Sequence, residues 1–209
     1  MGENDAVETP SPAVRPGAAD AAAADPDRQH DALTGEATGT AGGNGTRRGA
    51  DGAADPLLFR GVLGQFPTGV TVVTAQTPEG PVGLAVGSFT SVSLDPPLVG
   101  FLPAQTSASW PLIRDSGTFC VNVLSEDQQD IADQFSTPGA DRFGDRSWKP
   151  APHSGAPILD GVLAWIDCDV AGVSEAGDHH FVLGRVRALG AATDGSPLVF
   201  FRGAYRSLS

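Results

Sequence analysis

The sequence predicts a mainly β protein, an antiparallel barrel with two or three short peripheral helices, preceded by a disordered tail. Residues 55–209 contain six or seven short runs of apolar and β-branched residues, separated by turns rich in Gly, Pro, Asp and Ser. Hairpin connections dominate, and the sequence lacks the strand–helix–strand alternation that is typical of parallel sheets. Residues 1–54, in contrast, contain only three large aliphatic residues and no aromatic residue.

The tail, residues 1–54, consists mainly of Ala, Gly, Pro, Asp and Thr. Such a segment buries too little apolar surface to offset the entropy lost on ordering, so we expect it to be disordered. It has neither the basic start and apolar stretch of a secretory signal nor the acid-poor composition of a transit peptide. The folded domain is therefore predicted to span residues 55–209.

The charge and composition exclude several classes of partner. Nine acids and four bases give the tail a charge of −5, and sixteen acids and nine bases give residues 55–209 a charge of −7, which argues against nucleic-acid binding. No apolar run approaches the roughly 20 residues that a membrane helix needs, so we expect no membrane contact and a cytoplasmic location. Cys120 and Cys168 lie inside apolar runs and are predicted to be reduced core thiols, with no disulfide and no metal site.

The first element of the domain is predicted to be a helix. Asp55 and Pro56 suit its start, because Asp is a good N-cap and Pro fits the first helical position. Leu58, Val62 and Phe66 recur every four residues, so one face of the helix is expected to pack inward. The proline that follows Phe66 is expected to end the helix.

Residues 70–75 predict a strand, and the turn at residues 78–81 makes this strand and the next one a hairpin. The next strand, 82–86, and a later strand, 98–102, flank a segment dense in small hydroxyl residues. From the residues alone this central segment is either a polar loop, which we prefer, or a phosphate cradle built from backbone N–H groups and hydroxyls. An Asp-Pro-Pro turn separates it from the later strand.

The middle of the domain is predicted to continue with a helix and a strand. Residues 105–115 are expected to run from a loop into a short helix that Gly117 ends. Residues 118–124 predict the strand. Asn122 lies inside this apolar run, must find hydrogen-bond partners there, and is expected to have a structural role.

A third helix is predicted to begin at Ser125, where Gln128 is placed to complete a capping box. Ile131 and Phe135 give this helix its apolar face. Residues 137–157 then form a long loop rich in Pro, Gly, Asp, Arg and Trp. Loops of this length in compact domains are functional or disordered, and the aromatic residues in this one favour a function.

The C-terminal part of the chain predicts three further strands, at residues 162–173, 179–189 and 198–201. Residues 175–178 and 193–196 are rich in turn formers and connect these strands. Such short connections place consecutive strands antiparallel to each other, which completes the predicted fold.

Five blocks of the sequence stand out as an ordered set: Phe59–Thr74, Gly87–Val99, Phe119–Leu124, Gly177–Gly184 and Phe200–Tyr205. Together they resemble the small flavin reductases, which supply reduced flavin to two-component monooxygenases. The resemblance covers residues 57–206 and none of the tail. It is greatest to reductase components that serve aromatic or steroid-type hydroxylases.

The resemblance implies a split β-barrel of Greek-key type and a homodimer, with FMN or FAD in a groove near the dimer interface. It implies NADH or NADPH as the hydride donor, and NADH is favoured because no residue declares a site for the 2′-phosphate of NADPH. It also implies a partner monooxygenase that receives the reduced flavin by diffusion. The choice between FMN and FAD stays open at this point.

Carried over residue by residue, the resemblance implies three flavin-contacting segments and one set of nucleotide contacts. The flavin contacts are Gly87, Ser88, Phe89, Thr90, Ser91, Ala104, Gln105, Thr106, Ser107, Ser109, Trp110, Asp141, Arg142, Ser147, Trp148 and Lys149. The NAD contacts are His179, Phe200, Phe201, Arg202 and Gly203, with His179 as the catalytic residue. Relatives often carry a basic residue where this chain has Ala108, so Arg142 and Lys149 are expected to neutralise more of the flavin phosphate.

His179 and His180 point to opposite faces of the predicted strand, and the Gly-Asp-His match favours His179 as the residue that orients the nicotinamide or the flavin edge. Asp178 is expected to set the turn. Trp110 is either a core residue or a flavin contact, and Trp165 is expected to lie in the core or at a dimer contact. The cofactors carry out hydride transfer, so no proton-relay triad is required.

Other enzyme classes lack their signatures in this sequence. We find neither the G-x-S-x-G of serine hydrolases nor a G-x-G-x-x-G within a strand–turn–helix unit. Two alternatives share the expected fold: an oxidase of the pyridoxamine-phosphate type that keeps its flavin, and a flavin- or haem-binding module without turnover. The Gly-Asp-His block and residues 200–203 favour a reductase over both.

Overall fold

The computed structural model describes residues 55–208, so the predicted disorder of residues 1–54 lies outside the described residues. Within the described range, no helix is long and apolar enough to cross a membrane. Cys120 and Cys168 are free and buried, which confirms the prediction of core thiols. Burial raises the pKa of Cys168 to about 12, and burial together with the nearby Asp167 carboxylate raises the pKa of Cys120.

Residues 55–208 form three α-helices and twelve strands. The helices are α1 (Pro56–Leu63), α2 (Ser109–Ser116) and α3 (Gln129–Ser136), with a 3₁₀ turn at Glu126–Gln128 before α3. The strands are β1 (Thr68–Gly69), β2 (Thr71–Thr77), β3 (Gly80–Val86), β4 (Thr90–Leu94), β5 (Pro97–Phe101), β6 (Thr118–Val123), β7 (Trp148–Pro150), β8 (Pro157–Leu159), β9 (Ala164–Ala176), β10 (His179–Ala191), β11 (Val199–Phe201) and β12 (Ala204–Arg206).

The main sheet has seven strands in the order β3-β2-β6-β9-β10-β5-β4, and every neighbouring pair is antiparallel. Strands β3 and β5 lie towards opposite edges of the sheet. Even so, Val86 of β3 and Phe101 of β5 pack in one core cluster with Trp110 of α2. The sheet therefore curls around this cluster, as the sheet of a split barrel does. The predicted mainly β, antiparallel fold with peripheral helices is confirmed.

The outer face of the sheet carries a second core cluster. Val72 follows the alternation of β2, so it points away from its neighbour Val73 and packs with Phe135 of α3 and Leu159 of β8. A separate three-stranded sheet, in the order β1-β11-β12, contributes Phe200 to the same cluster. One face of α2 thus packs on the inner cluster through Trp110 and Ile113, and α3 and β8 cover the outer face of the sheet.

The predicted inward face of the first helix is wrong. Asp55 does cap α1, accepting a hydrogen bond from the Leu57 N–H at 2.9 Å, but no residue of α1 is buried. Leu57 is 76% exposed and Phe66, just beyond the helix, is 74% exposed. The spacing of apolar residues is that of an amphipathic helix, but no part of residues 55–208 buries its apolar face.

The central hydroxyl-rich segment is only in part the predicted loop. Residues Thr90–Leu94 form β4, which pairs with β5 and forms one edge of the sheet. A loop was expected because hydroxyls in a strand through the core would need protein partners, and a strand at the sheet edge was not considered. At the edge, the side chains of Thr90, Ser91 and Val92 are exposed and water can solvate them. Strands β1, β7, β8 and β12 were not predicted from the sequence. Each has only two or three residues, too few to show the alternation of apolar and polar residues that indicates a strand.

The predicted end of α2 and the predicted capping box are confirmed, although the box begins a 3₁₀ turn and α3 itself starts at Gln129. Gly117 ends α2 in the left-handed conformation, with φ of 74°. Ser125 and Gln128 form the predicted capping box, in which the Gln128 side chain accepts the Ser125 N–H at 3.0 Å. The apolar face of α3 is buried through Phe135, which is 1% exposed.

Candidate functional site

The segment after β5 lies against the turn between β9 and β10. The Gln105 N–H donates to the Asp178 carbonyl at 2.9 Å, and the Gln105 side-chain amide donates to the Gly177 carbonyl at 3.1 Å. Ala104 and His179 face each other in an isolated antiparallel bridge. The structure thus brings together two of the predicted groups, the second flavin segment and the Gly-Asp-His turn.

The same segment leads into the N-terminal end of α2, where a guanidinium group is held. Ser107, just before α2, accepts the Trp110 N–H from the first turn of the helix at 3.2 Å. Arg142 donates to the Ser109 hydroxyl and, at 2.9 Å, to the Gly83 carbonyl of β3. A helix N-terminus and a guanidinium are both positive, so this end of α2 suits an anionic group such as a phosphate.

The Trp110 side chain lies in the core, and the predicted flavin contact at this position stays a prediction. Its side chain is 1% exposed, and its ring meets Phe101 edge-on with a centroid distance of 5.9 Å. The His180 ring lies 6.0 Å from the Trp110 ring on another side. Because α2 is anchored in the barrel through this residue, the position of its N-terminal end is set by core packing.

Most hydroxyls expected to recognise flavin already have protein partners. Ser88 Oγ accepts the Leu102 N–H at 2.9 Å and donates back to the Leu102 carbonyl at 3.3 Å, which ties the start of the segment to the end of β5. Phe89 packs against the barrel core. Gly87 leaves its backbone accessible for close approach, and Thr90 and Ser91 are exposed on β4.

The third predicted segment does not come together as one contact. Asp141 accepts the N–H groups of Phe143 and Gly144, so it shapes its own loop. Trp148 and Lys149 lie on β7, which pairs with β8 on the outer face of the sheet. The Ser147 carbonyl accepts the Asp160 N–H at 3.1 Å. Within this segment, Arg142 is the residue that bonds to α2, through the Ser109 hydroxyl.

Of the five predicted nucleotide contacts, Phe200 and Phe201 lie in β11 and Arg202 and Gly203 form the turn to β12, while His179 lies at the start of β10. Arg202 has a φ of 53° and Gly203 a φ of 76°, as a tight hairpin requires. The Arg202 guanidinium donates to the Gln65 side-chain oxygen at 2.9 and 2.6 Å and lies 4.9 Å from the Phe201 ring centre. Phe200 is buried in the outer core cluster. The hydrogen bonds of Arg202 thus run to the end of α1, rather than to His179.

Over residues 63–209 the chain matches the profile of a family described as flavin reductase like domain. The chain belongs to this flavin reductase family. It is 53% identical over 154 residues to a flavin reductase of Pseudomonas putida, a match that covers 73% of this chain and 90% of that protein. It is 47% identical over 156 residues to HsaB, the reductase subunit of a flavin-dependent monooxygenase of Mycobacterium tuberculosis, with 74% and 83% covered.

A solved structure shows the same fold. The reductase is similar to the NADH:FAD oxidoreductase SgcE6 of Streptomyces globisporus C-1027, determined in complex with NAD and FAD fragments. The TM-score is 0.71 and the sequence identity 35%, with 74% of this chain and 93% of that chain covered. The resemblance seen in five short blocks is therefore confirmed over almost the whole described domain.

In this reductase, the turn before β10 holds His179 in one orientation. Its Nδ1 lies 2.7 Å from Asp178 Oδ1. The hydrogen bond from His179, followed by the attraction of its ring when charged, lowers the pKa of Asp178. Because the pKa of Asp178 is lowered, its carboxylate is fully ionised above about pH 4 and the interaction with His179 is fully present there. The interaction is lost only as the pH falls further. An ionised carboxylate can only accept hydrogen bonds, so His179 Nδ1 carries the proton that is donated to Asp178. The other ring nitrogen, Nε2, then lies on the far side of the ring from Asp178.

Residues outside the predicted set also shape the site. Gln65 orients Arg202, Gly83 accepts a hydrogen bond from Arg142, and Thr68 lies against Gly87, where a Cβ would come within 3.0 Å of the Thr68 hydroxyl. Gln65 and Thr68 belong to the first of the five matching blocks, from which we carried over no site residue. The match of that block to the family was therefore the feature of the sequence from which Gln65 and Thr68 could have been predicted.

Proposed function

We propose that this protein is an NADH-dependent flavin reductase that transfers a hydride from NADH to FAD or FMN and releases the reduced flavin to a partner monooxygenase. Membership of the flavin reductase family supports the reaction. The observation that carries the assignment to this site is the contact of the Ala104–Trp110 segment with the His179 turn. It joins the segment that leads into the positive helix end to the predicted nicotinamide-orienting histidine.

The side chains have positioning roles in this reaction. When both substrates are bound, their rings supply the hydride chemistry. Arg142 and the N-terminal end of α2 neutralise the flavin phosphate, and Arg202 supplies a second fixed positive charge for the nucleotide. His179, oriented by Asp178, contacts the nicotinamide or the flavin edge. No protein group has to donate or accept a proton during hydride transfer.

The flavin acts as a substrate that binds and leaves. The hydroxyls of Ser88, Ser107 and Ser109 are used inside the protein, so few side-chain groups remain to hold a flavin tightly. Moderate binding is what a reductase needs if a partner oxygenase is to capture the reduced product. Because the binding energy is small, the flavin should be lost when its free concentration falls.

Purification followed by dialysis and an absorbance scan tests this function. We expect colourless protein that oxidises NADH only after FMN or FAD is added, at a rate that saturates with flavin. A stoichiometric yellow flavin that survives dialysis, with turnover indifferent to added flavin, would instead identify a bound-flavin oxidase. Flavin binding without any NADH oxidation would identify a binding module.

We expect His179→Ala to raise the KM for NADH about tenfold and to change the KM for flavin by less, since a lost charge-assisted or buried polar contact costs about 1–3 kcal/mol. Steady-state NADH oxidation, with each substrate varied in turn, measures both constants. His153→Ala is the matched control, because His153 is another histidine paired with an aspartate, Asp169, and lies outside the predicted site. A rise in the flavin KM alone would place His179 on the flavin side.

We further propose that the protein is a homodimer and that α1 lies at the interface. An eight-residue helix is too short to be stable by itself in water, and every apolar side chain of α1 is exposed or half-exposed in the single chain. A second chain that covers Leu57, Phe59, Val62 and Leu63 would bury this surface, as homodimer interfaces do.

Sedimentation at micromolar concentration should give twice the chain mass of 21.3 kDa. Phe59→Asp should shift the protein toward monomer, because a buried unpaired charge opposes association. Val92→Asp, on the exposed edge strand β4, should leave the dimer intact. A monomeric wild type with full activity would contradict the proposal, and dissociation by the Val92 variant alone would move the interface to β4.

A further inference from the structure

Thr68 carries a buried hydroxyl that has no hydrogen-bond partner among residues 55–208. It lies in β1, directly opposite Phe200 in the register with β11. A buried polar group without a partner destabilises the folded chain, and a native protein that keeps one needs a reason for it. Valine has the same shape without the hydroxyl, so the destabilisation was avoidable at this position.

Other threonines nearby show that the fold can satisfy such hydroxyls. Thr71, three residues further along the chain, donates its hydroxyl to the Val86 carbonyl at 3.0 Å, and Thr74 donates to the Pro157 carbonyl at 2.6 Å. Both side chains are buried and both are paired. The unpaired state of Thr68 is therefore a property of its own surroundings.

Those surroundings are two of the predicted substrate-binding segments. The Thr68 hydroxyl lies 3.0 Å from the position that a Cβ would take at Gly87, the first residue of the predicted flavin segment. Its backbone pairs with Phe200 of β11, one of the predicted nucleotide contacts. Thr68 thus borders both segments, and the glycine at position 87 places no side chain between its hydroxyl and the flavin segment.

We propose that Thr68 is a further flavin-contacting residue, whose hydroxyl pairs with the polar edge of the flavin ring when the ring lies along Gly87. This rests on the proposed flavin reductase function. The hydroxyl is closed off from solvent in the structure, so pairing with the flavin requires the Thr68 side chain to change rotamer about its Cα–Cβ bond. The bound flavin then provides the hydrogen-bond partner that the Thr68 hydroxyl lacks in the protein alone.

The test compares three variants, Thr68→Val, Thr68→Ser and Thr71→Val, in the full chain. Riboflavin and FMN are titrated separately against each protein without NADH, with quenching of flavin fluorescence as the readout, and the thermal midpoint is measured in the absence of flavin. We expect Thr68→Val to raise the Kd for both flavins about tenfold, equally, because the lost hydrogen bond is to the ring and not to the phosphate. Its thermal midpoint should be unchanged or higher.

Thr68→Ser keeps a hydroxyl and should bind both flavins within about twofold of wild type. Thr71→Val loses a satisfied hydrogen bond, so its thermal midpoint should fall while its flavin Kd stays the same. The inference is overturned if Thr68→Val behaves like Thr71→Val, or if it changes neither measurement. Wild-type protein that binds no flavin and oxidises no NADH would instead reject the proposed function itself, so the two failures are distinguishable.

Discussion

Arg142→Ala is expected to raise the KM for FMN and FAD about tenfold while the KM for riboflavin changes little. The guanidinium is held at the N-terminal end of α2 by the Gly83 carbonyl and the Ser109 hydroxyl, where it suits the phosphate of the nucleotide flavins. A charge-assisted hydrogen bond of this kind contributes about 1.5–3 kcal/mol, and riboflavin carries no phosphate to lose it. Steady-state titration of the three flavins at constant NADH gives the three constants.

Arg146→Ala is the matched control, because Arg146 lies in the same loop and pairs with Asp130 instead of α2. We expect it to leave all three flavin constants close to wild type, because its ion pair is made to α3 and involves no residue of the predicted flavin segments. Arg142→Lys separates charge from shape, because lysine keeps the charge without the planar fork. An equal rise for riboflavin and FMN would mean that Arg142 acts only by bracing α2, and the phosphate role would have to be abandoned.

Asn122→Leu is expected to lower the free energy of unfolding by about 3 kcal/mol, which corresponds to a fall in Tm of about 10 °C for a domain of this size. The Asn122 side chain is fully buried. Its amide donates to Val72 and Pro157 carbonyls and to Thr74, each at 3.2 Å, and its oxygen accepts the Leu159 N–H at 2.9 Å. Leucine would leave that N–H buried and unpaired.

Thermal and urea unfolding, followed by circular dichroism, measure this change. Gln76→Leu on β2 is the control, because Gln76 is an exposed amide that bonds only to the neighbouring Thr77 carbonyl. Its effect should stay within about 0.5 kcal/mol. Loss of stability equal to that of the control would show that β8 holds its place on β2 and β6 without Asn122.

Much of the secondary structure could be predicted because its causes are local. The capping box at Ser125 and the left-handed Gly117 depend on residues adjacent in the chain, and both are confirmed. The β2–β3 hairpin follows in the same way from the turn at residues 78–81. The structural role of Asn122 also followed from its type and setting, since an amide inside an apolar run must be paired.

Elements whose state depends on distant neighbours were harder to predict. The spacing of Leu58, Val62 and Phe66 is typical of an amphipathic helix, but it does not reveal whether the covering surface belongs to the same chain. The hydroxyl-rich strand β4 was taken for a loop because its place at the sheet edge follows from the pairing of seven strands. An edge strand solvates side chains that a central strand would have to satisfy.

The sequence alone determined the fold class and, through five ordered blocks, the resemblance to the reductase family. It also determined which residues are candidates for the site. Which candidates meet was decided by the tertiary structure. Arg142 reaches α2 while its neighbours Trp148 and Lys149 lie on the outer face, and Trp110 is core. The unpaired hydroxyl of Thr68 is also visible only in the fold. The physical reason is that burial and hydrogen-bond pairing depend on what the folded chain places next to each group, and those neighbours are remote in sequence.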